Sequence, residues 1–234
     1  MNKHQRSVTL RSGVKIGPGH PCFIVAEVGN NHQGEFELAK RMIEEAAKAG
    51  VQAVKFQKRD VEALLTRAGR EAAYSGRNSF GATYGEHREA LELSLEQMAD
   101  LKVYTESLGL VFFASCWDEP SLRGILDLDV ELLKICSADL VNVPLLRRSA
   151  EAGVPIILST GMSAFEDIDI AMAELRRSHD EIVLLHCNST YPCPEECIGL
   201  PVMDSLRERY GVPVGYSGHE RGIAPSVAAA ALGA

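Results

Sequence analysis

The stretch "CFIVAEVGNNHQGEFELAKRMIEEAAKAGVQAVKFQ", Cys22 to Gln57, holds two kinds of pattern. It opens and closes on short apolar runs, "CFIVAEVG" and "QAVKFQ". Between them, "FELAKRMIEEAAKAG" is amphipathic at helical spacing. That segment ends in Gly50, and glycine takes the left-handed conformation that stops a helix at little cost. The flanking runs are nearly continuous rather than alternating. Strands buried on both faces read this way, and they belong to a parallel sheet covered by helices. The stretch is therefore a β–α–β unit.

The same layout recurs along the chain. Further strand runs are "LVFFAS" at Leu110, "LLKICS" at Leu132, "PIILST" at Pro155, "IVLLHC" at Ile182 and "PVGYSG" at Pro213. Helical patterns such as "SLEQMADLKVYTESLG" and "VPLLRRSAEAG" separate them. Strand–helix units repeating about every 25 residues suit an α/β fold of the TIM (β/α)8 barrel type, whose usual length is about 250 residues. A doubly wound open sheet is the alternative, but no GxGxxG turn follows the first strand. After "PVGYSGHE" one more helical pattern, "APSVAAAALGA", ends the 234 residues, so seven strands are encoded. The expectation is that the eighth strand has been lost by truncation.

Composition narrows the function classes. The formal charge is −8, which argues against a general electrostatic grip on nucleic acid. An anionic small molecule is compatible with it, because a pocket can be locally positive. No apolar run reaches the roughly 20 residues that span a membrane. The polar "MNKHQRSVTLRSG" lacks the apolar core of a signal peptide. The six cysteines are scattered, so reduced thiols in a cytoplasmic protein are expected. His186, Cys187, Cys193 and Cys197 form a possible zinc cluster, but without paired CxxC spacing the motif is weak. "SVTLRSGVKIGPGHP" reads as a hairpin turning at "RSG", giving an N-terminal hairpin over residues 1–20 and a barrel domain over 21–234. The segment from Arg59 to Glu86 is too long for a plain connector; long barrel loops tend to be functional, and it is expected to fold over the site.

Polar residues fall at the strand ends: Glu27, Lys55 with Gln57, Ser115, Lys134 with Ser137, Ser159 with Thr160, His186 with Asn188, and Ser217 with His219. In a parallel barrel these ends converge on the face that carries the active site. Lys55 and Lys134, flanked by hydroxyls, make a cradle for phosphate and carboxylate. Glu27 is read as a metal ligand, a sugar-hydroxyl acceptor or the ion-pair partner of Lys55. His219 is a candidate metal ligand, with His32 and His186 as possible companions, although His186 fits better as packing at a strand top.

Six segments in order, "AEVGNNHQGEFELAKRMIEEAAKAGVQAVKFQK", "YGEHREALELS", "LLKICSAD", "STGMS", "TYPCP" and "GYSGHERGIAPSVAAAALGA", resemble the sialic acid synthase family. The resemblance runs from about Cys22 to Ala234 and includes the legionaminic and pseudaminic acid synthases. It implies condensation of phosphoenolpyruvate with an N-acylated hexosamine, with or without a 6-phosphate, and release of phosphate. It also implies a divalent metal, usually manganese, and a homodimer.

Carried over by position, Lys55 and Lys134 resemble the enolpyruvate-binding lysines. Ser137, Ser159 and Ser217 fall at phosphate contacts, and Ser115 stands where some members have threonine. Gln57 and Tyr191 resemble sugar-site residues, Asp139 occupies an acidic or polar position, and Thr160, Asn188 and Ser189 complete the substrate set. Glu27 matches a strand-one glutamate, and His219 the first metal histidine. The second metal histidine of the family follows "LGA" and is not in these residues, nor is the family's C-terminal antifreeze-like domain. Two rivals remain open from the residues alone: a Schiff-base aldolase-type barrel, and a non-catalytic sugar or phosphate binder.

Overall fold

The computed structural model describes residues 6–234. The first five residues of the expected N-terminal hairpin therefore lie outside the described residues. Two compact units divide the chain: a central one, Ile24–Val130, and a terminal one formed by the segment through Phe23 together with Glu131–Ala234.

The N-terminal hairpin belongs to the terminal unit. Its strands β1 (Val8–Thr9) and β2 (Lys15–Ile16) are antiparallel, with Val8 opposite Ile16. The turn closes through Leu10 N–H to the Val14 carbonyl at 2.8 Å, and "RSG" sits at the bend. Glu131 holds the tip, accepting from the Ser12 N–H at 2.7 Å.

The central unit holds three parallel strands, β3 (Val25–Gly29), β4 (Ala53–Lys58) and β5 (Val111–Cys116). Helix α1 (Phe36–Lys48) joins the first pair, burying Ala39, Ile43 and Ala46 along one stripe. Three short helices follow β4: α2 (Val61–Leu64), α3 (Arg67–Glu71) and α4 (Tyr84–Ala90). They fill the segment that sequence periodicity left without elements. Each is started by a side-chain cap, from Asp60, Thr66 and Thr83 respectively, which satisfies N–H groups the helix cannot. Helix α5 (Leu95–Ser107) starts at a capping box between Ser94 and Gln97. Helix α6 (Glu119–Asp127) closes the unit. Every residue of β5 is buried, and Phe56 stacks on Phe112 with ring centroids 5.3 Å apart.

The terminal unit holds four more strands, again parallel: β6 (Leu133–Ile135), β7 (Ile156–Ser159), β8 (Ile182–Cys187) and β9 (Val214–Ser217). Helices α7 (Val143–Glu151), α8 (Phe165–Leu175), α9 (Val202–Tyr210) and α10 (Ala224–Ala231) follow them in turn. Leu132, Leu133, Ile135, Leu146, Leu158 and Leu184 are almost wholly buried. All seven expected parallel strands are thus present, three in one unit and four in the other, each followed by helix in the α/β repeat of the TIM-barrel type. No helix among the described residues is long and apolar enough to cross a membrane.

Candidate functional site

In the central unit the strand-end residues come together. Glu27 and Lys55 stand opposite each other in the β3–β4 register, as do Gln57 and Ser115 between β4 and β5. Lys55 is 7% exposed. Its Nζ lies 2.5 Å from Glu27 Oε2 and donates to Ser115 Oγ at 2.9 Å. A buried ammonium is costly unless it is paired and hydrogen-bonded, and here it is both. The carboxylate of Glu27 is half open to solvent, so the pair is reachable.

Gln57, two residues beyond Lys55, faces the same side of the strand. A methyl group added at Gly29 would sit 3.0 Å from Glu27 Oε1 and 3.4 Å from Gln57 Nε2. Gly29 also has a φ of +54°. Glycine at this position lets the carboxylate and the amide lie against bare backbone.

His32, raised above as a metal companion, is turned into its own loop. Its Nδ1 accepts from Gly34 N–H at 3.0 Å. Burial, helped by the charge of Arg59 and opposed by a hydrogen bond to Gly29, lowers its pKa to about 4. The ring is a neutral structural group.

In the terminal unit Lys134 is 6% exposed and donates to the Ile135 carbonyl at 2.8 Å. Beyond it, the hydroxyls of Ser137 and Ser189 close on Gly161. A Cβ there would lie 2.4 Å from Ser189 Oγ and 2.9 Å from Ser137 Oγ, while Gly161 N–H donates to Ser137 Oγ at 3.0 Å. The absence of a side chain at Gly161 lets both hydroxyls lie against bare backbone, with the Gly161 N–H spent on Ser137. Ser159 is buried at the end of β7, and Ser217 ends β9 half-buried opposite Cys187.

Other candidates are committed to structure. Thr160 Oγ1 donates to the Leu185 carbonyl at 3.0 Å, tying β7 to β8. Asp139 is buried in a 3-10 turn, where it accepts from Cys136 Sγ at 2.9 Å and Asn142 Nδ2 at 3.4 Å. Burial, with the carboxylate of Asp139 beside it, pushes the Cys136 thiol up to about 12. Asn188 uses both ends of its amide on its own loop, accepting from Thr190 N–H and donating to the Cys197 carbonyl, each at 2.9 Å. His186 Nε2 bonds to the Ile198 carbonyl at 2.6 Å, the packing role its leucine neighbours suggest. A cleft of about 640 Å³ lies beside these residues, with Thr160, Met162, Asn188 and Ser189 on its walls and Ile168 and Leu206 behind.

His219 differs from the other two histidines. Its Nδ1 is 2.7 Å from the Asn188 carbonyl, and a carbonyl only accepts. The proton therefore sits on Nδ1, leaving the Nε2 lone pair for a ligand, the arrangement typical of metal-binding imidazoles. The ring of Tyr191, a residue 81% exposed, lies 4.9 Å from His219. His219 thus fits a metal as one donor, but among the described residues no group of three or more His, Cys, Asp or Glu is placed to hold one. That finding removes the zinc reading of His186, Cys187, Cys193 and Cys197.

Sequence reasoning missed Arg59, a buried guanidinium bonded to Gln57, and the roles of Gly29 and Gly161. Consecutive basic residues after a strand, as in "KFQKRD", look like a solvated end, and a close approach to glycine leaves no residue-type signature.

Comparison with known proteins places these residues among relatives. The model of the NeuB family matches residues 42–234. The N-acetylneuraminate-9-phosphate synthase of Homo sapiens is 40% identical over 96% of this chain and 63% of its own length. The N,N'-diacetyllegionaminic acid synthase of Legionella pneumophila is 36% identical over 95% of this chain and 65% of its own. Among solved structures, an N-acetylneuraminic acid (sialic acid) synthetase from Leptospira borgpetersenii, in complex with citrate, superposes with a TM-score of 0.86 at 34% identity. That match covers 99% of this chain and 77% of the other. The chain spans about three fifths of the length of the curated relatives it matches.

Proposed function

The chain belongs to the NeuB family, and from that premise we propose that it condenses phosphoenolpyruvate with an N-acylated hexosamine, giving a nonulosonic acid and phosphate. The observation that carries this reading is the buried Lys55, held between a carboxylate and a hydroxyl at the ends of three parallel strands. A trianionic enol ester needs fixed cations and hydroxyl donors. Lys55 with Ser115 is one such set within the central unit, and Lys134 with Ser137, Ser159 and Ser217 is another within the terminal unit.

In the proposed reaction, C3 of the enolpyruvate attacks the aldehyde carbon of the open-chain sugar and forms the new C–C bond. The aldehyde oxygen takes up a proton from solvent, and Glu27, whose ionised carboxylate is reachable, is the candidate acceptor for the proton that the water adding at C2 gives up. Water adds to the oxocarbenium-like C2, and the tetrahedral adduct loses phosphate to leave the keto acid. Gln57 and Tyr191 are assigned to the sugar.

His219 would hold a divalent cation, manganese being the first to test, through Nε2. When bound, such an ion supplies Lewis-acid polarisation of a carbonyl oxygen. A Schiff-base route is less suited, since an amine that attacks a carbonyl must be unprotonated and Lys55 is instead in an ion pair. The homodimer and the barrel-capping hairpin belong to the same proposal, and chromatographic mass tests the first.

The deciding experiment incubates the protein with phosphoenolpyruvate, Mn2+ and a panel of N-acyl mannosamines, with and without a 6-phosphate. Phosphate release that requires one sugar, together with a matching nonulosonic acid product, is expected. Trapping of a pyruvate adduct by borohydride would transfer the reading to an aldolase.

A further inference from the structure

Arg59 lies outside the set of residues assigned to substrate, yet its surroundings are elaborate. It is 2% exposed. Its Nη1 donates to Glu92 Oε1 at 3.1 Å, and its backbone N–H donates to Glu92 Oε2 at 3.1 Å. Lys58 Nζ donates to the same Glu92 Oε2 at 3.0 Å, and the guanidinium lies over the ring of Trp117, 4.8 Å from its centroid. The remaining arm, Nη2, donates to Gln57 Oε1.

We infer that Arg59 is a positioning residue that locks the Gln57 amide, so that its NH2 group faces the sugar as a hydrogen-bond donor beside the Glu27 carboxylate. A free glutamine can present either its oxygen or its nitrogen, because the two ends of the amide have almost the same shape. A guanidinium carries donors only, so whichever end of Gln57 meets Arg59 must be the oxygen. The nitrogen is then turned the other way, to Gly29, where Glu27 Oε1 also lies. The result is a donor and an acceptor side by side at the half-open end of the strands. A sugar hydroxyl, which both donates and accepts, complements that pair.

Glu92 and Trp117 are what keep Arg59 from turning. A planar fork pinned by a carboxylate on one edge and an indole on its face has little freedom left for the arm on Gln57. Arg59 therefore acts on the substrate through another residue. This inference rests on the proposed sugar-condensing function for its kinetic consequences, but the amide orientation stands apart from it.

The test uses Gln57→Met, Arg59→Lys and the double variant. Each single change is expected to raise the KM for sugar about tenfold, the effect of one lost substrate hydrogen bond, while the KM for phosphoenolpyruvate stays within about twofold. The double variant should match Gln57→Met alone, because Arg59 has nothing further to act through. Equal rises in both KM values, or effects that multiply in the double variant, would show that Arg59 only supports the fold.

Orientation is read separately, by nuclear Overhauser contacts between the Gln57 side-chain NH2 and the Gly29 α-protons in the wild-type protein. Their presence is expected, and their absence overturns the inference without requiring any variant to fold. Contacts present in a protein that turns over no sugar would sink the functional reading and leave the positioning role intact.

Discussion

His32 shows how burial alone can set a residue's chemistry. Its folded-state pKa of about 4 lies below the ordinary value of 6.5. Between those two values the unfolded chain binds a proton that the native chain does not. Stability is therefore full above pH 6.5 and declines as the pH falls toward 4. We expect chemical unfolding midpoints to drop through this window, and the part of the drop due to His32 to vanish in His32→Gln. An unchanged pH profile in that variant would mean that the ring is protonated in the native state. The histidines also mark what single residues disclose. A charged or imidazole group beside an apolar run announces itself, as Glu27, Lys55 and His219 do. Which atom of it is spent on a neighbour does not, and the spent nitrogens of His32 and His186 emerge only from the loops that fold onto them.

At the scale of elements, the turn after β7 carries a tight constraint. Gly161→Ala would press a methyl against the hydroxyls of Ser137 and Ser189 and drive them from their present positions. The expected outcome is a rise of about tenfold in the KM for phosphoenolpyruvate, the scale of one displaced anion contact, with a near-native thermal midpoint. A wild-type KM would remove these two hydroxyls from the anion site. Strands were the most legible elements, because burial on both faces leaves continuous apolar runs that survive in the bare sequence. Their edges were less so. "CFIVAEVG" starts at Cys22 but the strand starts at Val25; Ile24 is exposed, and its N–H is taken by the Gln52 side chain while its carbonyl accepts from the backbone of Gln52 and Ala53. Helices α2, α3 and α4 escaped because a helix of one or two turns shows no repeating apolar stripe. Their only written signal is the cap at Asp60, Thr66 and Thr83.

Across the whole molecule, charge and chemistry pull in opposite directions. The chain carries a formal charge of −8, yet the proposed substrate is a trianion. Attraction must come from the few buried cations rather than from a general field. Buried charges are screened little by salt, so the KM for phosphoenolpyruvate should shift by less than about threefold between low salt and about 0.5 M. The protein should also pass a heparin column unretained at neutral pH. A steep salt dependence would place the anion on the surface and away from Lys55 and Lys134. One contact described above has a practical use of a different kind. The chain contains one tryptophan, and the guanidinium over Trp117 is the same group that grips Gln57. Any ligand that tugs on that amide shifts a cation across the face of the molecule's sole indole fluorophore. Occupancy can therefore be followed as a change in ultraviolet emission, with no label attached and no turnover required.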